Sequence, residues 1–254
     1  MNWIKKKYFE LTAAPAINVL ADKTPKYSLI LSSFSREENV ALIISKYSKY
    51  DCFGEIIVWH NGLKPLPLKY DTNKVRVINS DDMGLSSRYA AALLAKSETI
   101  FLHDDDLLVP EDTFVKMAHK HRETLATISI EGKNPYPDGT YGMPVKPKNG
   151  EEITCEIHLN RCICTSRSIL PSYFSFLYQT GLSLDPKGGG GEDMVYSYAA
   201  RLATGNLPIA VGFQFKNMDR QEAISSRFGN QHKNRSTIMN ICQEVFKREV
   251  NKNV

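Results

Sequence analysis

Residues 99–106, Thr-Ile-Phe-Leu-His-Asp-Asp-Asp, run from an apolar stretch straight into three consecutive carboxylates. A stretch of this kind reads as an interior strand that stops where the charges begin, so the acids stand at a strand's carboxyl end. In open α/β sheets ligands bind at such ends. Side chains alternate along an extended chain, so Asp104 and Asp106 share one side while Asp105 takes the other. Two carboxylates on one side offer oxygen ligands to a hard divalent cation, Mn²⁺ or Mg²⁺. Like charges this close repel one another, which favours a bound counter-charge. The alternative is a solvated acidic loop leading into a helix, because Val109-Pro110-Glu111-Asp112 carries an early proline and first-turn acids.

The segments around the triplet set its context. Tyr27–Ser33 is an apolar run read as the first core strand. Ser35 and Glu38 have capping-box spacing, and a helix continues through Val40–Tyr47. Glu55–His60 reads as a buried strand, Lys74–Ile78 as a short alternating one, and Leu85–Lys96 as an alanine-rich helix. Strand, helix, strand, strand, helix, strand predicts a mostly parallel α/β sheet in a single domain, with a nucleotide-binding half over about 25–106. Beyond it the expectations are a helix over Glu111–His121 and a strand over Leu125–Ile130. Residues 131–151 read as a long irregular loop, Ile153–Ser166 as a strand pair and Ser168–Thr180 as a helix. A glycine hinge over 187–191 leads to a helix over Glu192–Thr204 that ends at Gly205. Residues 107–250 would form the second half.

Composition narrows the class. A chain of 254 residues with 42% hydrophobic and 24% charged residues has an ordinary soluble make-up and enough length for a large core. A net charge of +4 suits phosphate-bearing ligands. No basic run interleaved with aromatics points to nucleic acid. The five cysteines lack metal-site spacing and read as reduced thiols in a cytoplasmic protein. No transmembrane-length apolar run is present. Lys5–Lys7 open a basic terminus, read as loosely ordered and suited to a membrane surface rather than as a leader.

Several motifs, in order, resemble the exostosin-like hexosaminyltransferases, glycosyltransferase family 64. They are Ser33-Phe34-Ser35-Arg36-Glu37, the strand ending Trp59-His60-Asn61, Ser87-Arg88-Tyr89 and Asp104-Asp105-Asp106. Gly191-Glu192-Asp193-Met194, Lys216–Asp219 and the segment Ser226-Arg227…His232…Arg235-Ser236 follow. The likeness spans roughly residues 27–242. It implies a Rossmann-like GT-A fold, with a central, mostly parallel sheet flanked by helices. It further implies transfer of a sugar from UDP-GlcNAc or UDP-GalNAc to a saccharide hydroxyl, with retention of configuration. UDP-xylose, UDP-glucose and GDP-mannose remain open as donors.

By that resemblance Asp106 holds the metal and Asp105 reaches ribose or sugar; the alternation adds Asp104 as a second ligand that also attends the donor. Ser33, Arg36, Asn61, Arg88 and His232 attend the nucleotide, Asp193 faces the reacting sugar and Arg235 offsets charge on the departing UDP. Each has an ordinary alternative: Arg36 and Arg88 as solvated helix arginines, Asp193 as a helix-dipole partner, Arg235 as a surface cation and Asn61 as a turn residue before Gly62. His103 reads as a core residue or one standing behind the ligands, Trp59 as core, and His119 and His121 as surface. An inverting transferase with Asp193 as base, and a nucleotide-sugar or glycan-binding module without turnover, are the competing readings.

Overall fold

A computed structural model of the chain describes residues 26–70, 72–184, 190–218 and 231–252, apart from the side chains of Leu68, Gln231 and His232. The described elements, in order, are β1 (Tyr27–Ser33), α1 (Glu37–Tyr47), β2 (Phe53–His60), β3 (Val75–Asn79), α2 (Ser87–Ala92), β4 (Thr99–Asp104) and β5 (Leu107–Leu108). The chain continues through α3 (Glu111–Thr124), β6 (Ile128–Ser129), β7 (Gly132–Pro135), β8 (Tyr141–Val145), β9 (Glu152–Thr154), β10 (Ile157–His158) and β11 (Cys162–Ser166). It closes with α4 (Pro171–Thr180), α5 (Glu192–Thr204), β12 (Ile209–Val211), β13 (Lys216–Asn217) and α6 (Gln231–Lys252).

One eight-stranded sheet in the order β3-β2-β1-β4-β11-β6-β12-β9 carries the fold. The first four strands are parallel to one another, and β11 joins β4 antiparallel with Cys162 opposite His103. Period-two alternation splits the core into two layers. Leu29, Leu31 and Phe101 pack with Ile43 and Tyr47 of α1 and Phe114 of α3. Ile30, Ile100 and Leu102 pack with Tyr89, Tyr173, Val195 and Met239 on the other face. Both faces are covered, which is why these strands read as continuous apolar runs. All five cysteines are buried free thiols.

Several local expectations are corrected. The Ser35–Glu38 capping box does not form; Arg36 takes the N-cap position without a side-chain cap. Arg36 and Asn39 instead reach across to Asp105, so tertiary bonds fix this helix start. The helix expected over Leu85–Lys96 is only α2, Ser87–Ala92, because the chain must turn at once into β4. There Glu55 accepts from the Lys96 N–H, and Ser28 Oγ accepts from the Ser97 N–H at 3.1 Å. Residues 131–151 are not irregular throughout: β7 and β8 form a hairpin extended by β10, and the irregular chain lies at its turn and over 146–151. The pair expected over Ile153–Ser166 is three strands, two in the main sheet and one on that hairpin. His121 is buried rather than superficial, with Nδ1 2.7 Å from the Ala126 carbonyl and Nε2 2.8 Å from Ser166 Oγ. Leu125, at φ 57°, folds the chain back to make the first of these contacts. His119 is exposed as expected. The α5 helix and its left-handed Gly205 end match the sequence reading.

Candidate active site

The carboxyl ends of β1, β2 and β4 open into a cleft of about 310 Å³. It is closed by the α2 and α5 starts, the β7–β8 hairpin and α6. Nine of the ten residues singled out from sequence line it: Ser33, Arg36, Asn61, Arg88, Asp104, Asp105, Asp106, Asp193 and Arg235. The tenth, His232, has its side chain outside the described residues, as do Asp219, Ser226 and Arg227 of the same motif.

The first strand end is built by hydrogen bonds. His60 Nε2 lies 2.8 Å from the Lys64 carbonyl and so carries the proton, which leaves Nδ1 to accept from Ser33 Oγ at 2.8 Å. Asn61 is a structural bridge: its carbonyl oxygen accepts from the Trp59 indole at 2.9 Å, and its amide donates to Ser87 Oγ at 3.1 Å. Gly62 follows because a Cβ there would overlap the Phe34 carbonyl and the His60 ring.

The three aspartates do not continue as a strand. β4 ends at Asp104, and the turn gives each acid its own arginine. Arg88 Nη1 donates to Asp104 at 2.8 Å, Arg36 Nη1 to Asp105 at 2.5 Å, and Arg161 Nη2 lies 3.4 Å from Asp106. Asp105 is 7% exposed and points at α1. Burial pushes its carboxyl up to about 7, against the pull of Arg36. Arg88 is 3% exposed; burial opposes its charge, and Asp104 and Glu192 more than offset that. Behind the turn, His103 Nδ1 donates to the Asp104 carbonyl at 2.6 Å, and Nε2 takes the Tyr47 hydroxyl at 3.2 Å. Burial holds the His103 ring at about 4, so it stays neutral, a core residue behind the acids.

The far wall begins at Gly191, whose φ of 109° and contact with Ile238 leave no room for a side chain. Glu192 is 5% exposed and accepts from Asn160 Nδ2 at 3.2 Å. The same amide donates to the Tyr89 hydroxyl at 2.9 Å. Asp193 is partly open to the cleft, and Ser197 Oγ donates to its carbonyl at 2.7 Å. Burial first, then the neighbouring Glu192, raise the Asp193 carboxyl to about 7, with Arg235 opposing. Arg235 lies over the Tyr141 ring at 5.8 Å, and Ser236 Oγ accepts from the Tyr141 N–H at 3.0 Å, pinning α6 to the hairpin.

Lys133, Tyr141, Asn160, Arg161 and Glu192 also line the cleft and were not singled out from sequence. Glu192 stood inside a quoted motif. Arg161 carries no local signal, because only the antiparallel register of β11 on β4 brings it beside the acids.

Among the described residues no three acids, histidines or cysteines gather as an all-protein metal cage. Mn²⁺ and Mg²⁺ beside a diphosphate commonly take only one or two carboxylates, with phosphate oxygens and water completing the set. Asp104 and Asp106, 28% and 13% exposed at their side chains, fit that donor set. No described helix is long and apolar enough to cross a membrane.

No family model and no curated protein matches the chain. Solved structures do. A mannosyltransferase from Pyrobaculum calidifontis, solved with GDP-Man and Mn²⁺, superposes with a TM-score of 0.52 at 11% identity, covering 98% of this chain and 80% of that one. S. aureus TarS superposes with a TM-score of 0.50 at 15% identity, covering 88% of this chain and 43% of that one. The fold is therefore the expected α/β GT-A type, a mostly parallel sheet in one domain.

Proposed function

We propose that this chain is a metal-dependent glycosyltransferase that moves a sugar from a nucleotide-sugar donor to a saccharide hydroxyl. The observation that carries the reading is the convergence, in one cleft at the strand ends, of the acid triplet, its arginines, Asp193 and Arg235. A fold shared with a mannosyltransferase that binds GDP-Man and Mn²⁺ supports the same chemical class. The donor is read as a UDP-sugar, UDP-GlcNAc or UDP-GalNAc, from the motif resemblance. Residues from about 25 to 106 would serve the donor, and those from about 107 to 250 the acceptor, with the C-terminal segment covering the donor.

Asp104 and Asp106 would hold Mn²⁺ or Mg²⁺, which supplies Lewis-acid charge to the leaving diphosphate. Arg88, fixed by Asp104 and by the Asn160 and Leu85 carbonyls, presents a preorganised positive charge at the aspartate turn. Arg36 secures Asp105, and Asp105 with Ser33 faces the nucleoside side. Arg235 reaches the cleft from α6 and offsets charge as the nucleotide departs. Asp193 faces the sugar. Its carboxyl, held near 7, has the basicity of a general base at neutral pH. This favours direct inversion as the second reading beside retention, and the anomer formed on transfer distinguishes them by NMR.

A panel of UDP-GlcNAc, UDP-GalNAc, UDP-xylose, UDP-glucose and GDP-mannose, assayed for free nucleoside diphosphate with Mn²⁺ and with EDTA, tests the proposal. Mn²⁺-dependent release from a UDP-sugar is the expected result, abolished in Asp106→Ala. Tight UDP binding with no turnover of any donor would leave a binding module instead.

A further inference from the structure

Arg161 belongs to the cleft, yet the reading above gives it no task. Its guanidinium is held from several sides. Nη1 donates to Glu131 at 2.8 Å, Nη2 donates to Asn217 at 2.7 Å and lies 3.4 Å from Asp106, and the Phe215 ring stands 5.4 Å from Cζ. The contacts are unequal. The Glu131 bond has the length of a charge-assisted pair, while the Asp106 contact is longer than those of Arg36 and Arg88 with their own acids. Arg161 can therefore release Asp106 and keep its anchors on Glu131 and Asn217. The charge then stays beside the acid turn whether or not that carboxylate is engaged elsewhere.

Building on the nucleotide-sugar reading, we propose that Arg161 couples cation binding to diphosphate binding, opposing a cation that arrives alone at Asp106 and favouring the diphosphate that arrives with it. Without ligand, Arg161 neutralises part of the Asp106 charge and competes for its oxygens. With a cation held there, the anchored guanidinium is a like charge at close range and weakens that binding. A diphosphate beside the pair meets two positive charges, and Arg161 adds to its affinity. Such coupling is reciprocal between the two ligands.

Calorimetric titration of the full chain with Mn²⁺ alone, and with UDP at saturating Mn²⁺, tests this in wild type, Arg161→Met and Glu131→Gln. Arg161→Met should bind Mn²⁺ alone about fivefold more tightly and UDP about fivefold more weakly, a shift at the lower end of typical coupling. Glu131→Gln frees Arg161 to press harder on Asp106, so Mn²⁺ alone should bind more weakly than in wild type. This variant decides the matter if Arg161→Met does not fold, which thermal melting reports. Shifts of both ligands in the same direction, or no shift in either variant, overturn the coupling and leave the transferase reading standing. Failure of the wild-type chain to bind either ligand overturns both.

Discussion

Asp105 and Asp193 are both held near 7, well above an ordinary carboxyl, chiefly because each is taken out of water. Between about pH 4 and 7 the folded chain therefore keeps protons that the unfolded chain has released. Their contribution to ligand-free stability falls as pH rises through that window, while the buried histidines His103, His121 and His158, whose values burial lowers, contribute the opposite slope. Thermal melting of wild type and Asp193→Asn from pH 5 to 8 isolates the Asp193 share: the variant should gain stability relative to wild type as pH rises toward 7. The same substitution addresses the chemistry. If the ionised Asp193 acts on the sugar, wild-type turnover rises through about pH 7, and Asp193→Asn loses both that limb and most of its rate. An unaltered rate and profile would remove Asp193 from the reaction. Asp104 serves a second purpose, since it is the carboxylate partner of a buried arginine. Asp104→Ala should cost about 3–5 kcal/mol in urea denaturation by removing the hydrogen-bonded counter-charge of Arg88.

At the scale of elements, the site is held by strand ends meeting one another. His60 ties β2 to Ser33 of β1, and Gly62 lets the chain pass against the Phe34 carbonyl. Gly62→Ala should destabilise the chain by about 1–3 kcal/mol, read as a lower urea midpoint at unchanged slope, because the added methyl forces that turn apart. The strands β1 to β4 and α5 were legible in advance because their signals are local: apolar runs, and a glycine on either side of an amphipathic helix. The start of α1 and the end of α2 were not. Ser35 had the correct spacing for a cap, but the bonds from Arg36 and Asn39 to Asp105, sixty-odd residues away, determine where that helix begins. The hairpin of β7 and β8 was hidden for a related reason. Its glycines and prolines read as punctuation, whereas Gly132 sits where any side chain would strike Cys155, and the strands gain a third partner in β10.

For the whole molecule, α6 is the element that completes the cleft. Met239, Cys242 and Val245 bury it in the second core layer, and that burial carries Arg235 to the site. Met239→Ala should cost about 2–5 kcal/mol in urea denaturation and lower transfer along with it, since the helix that positions Arg235 is loosened. The sequence by itself determined the alternating strands and helices, the stop of β4 at the acids and most of the polar residues that line the cleft, because hydrophobic period and charge placement act over a few residues. Which arginine answers which aspartate was settled only in three dimensions. Arg36, Arg88 and Arg161 lie 69, 16 and 55 residues from their partners. Ion pairing depends on distance in space, and that distance follows from strand order and register, which no local pattern encodes.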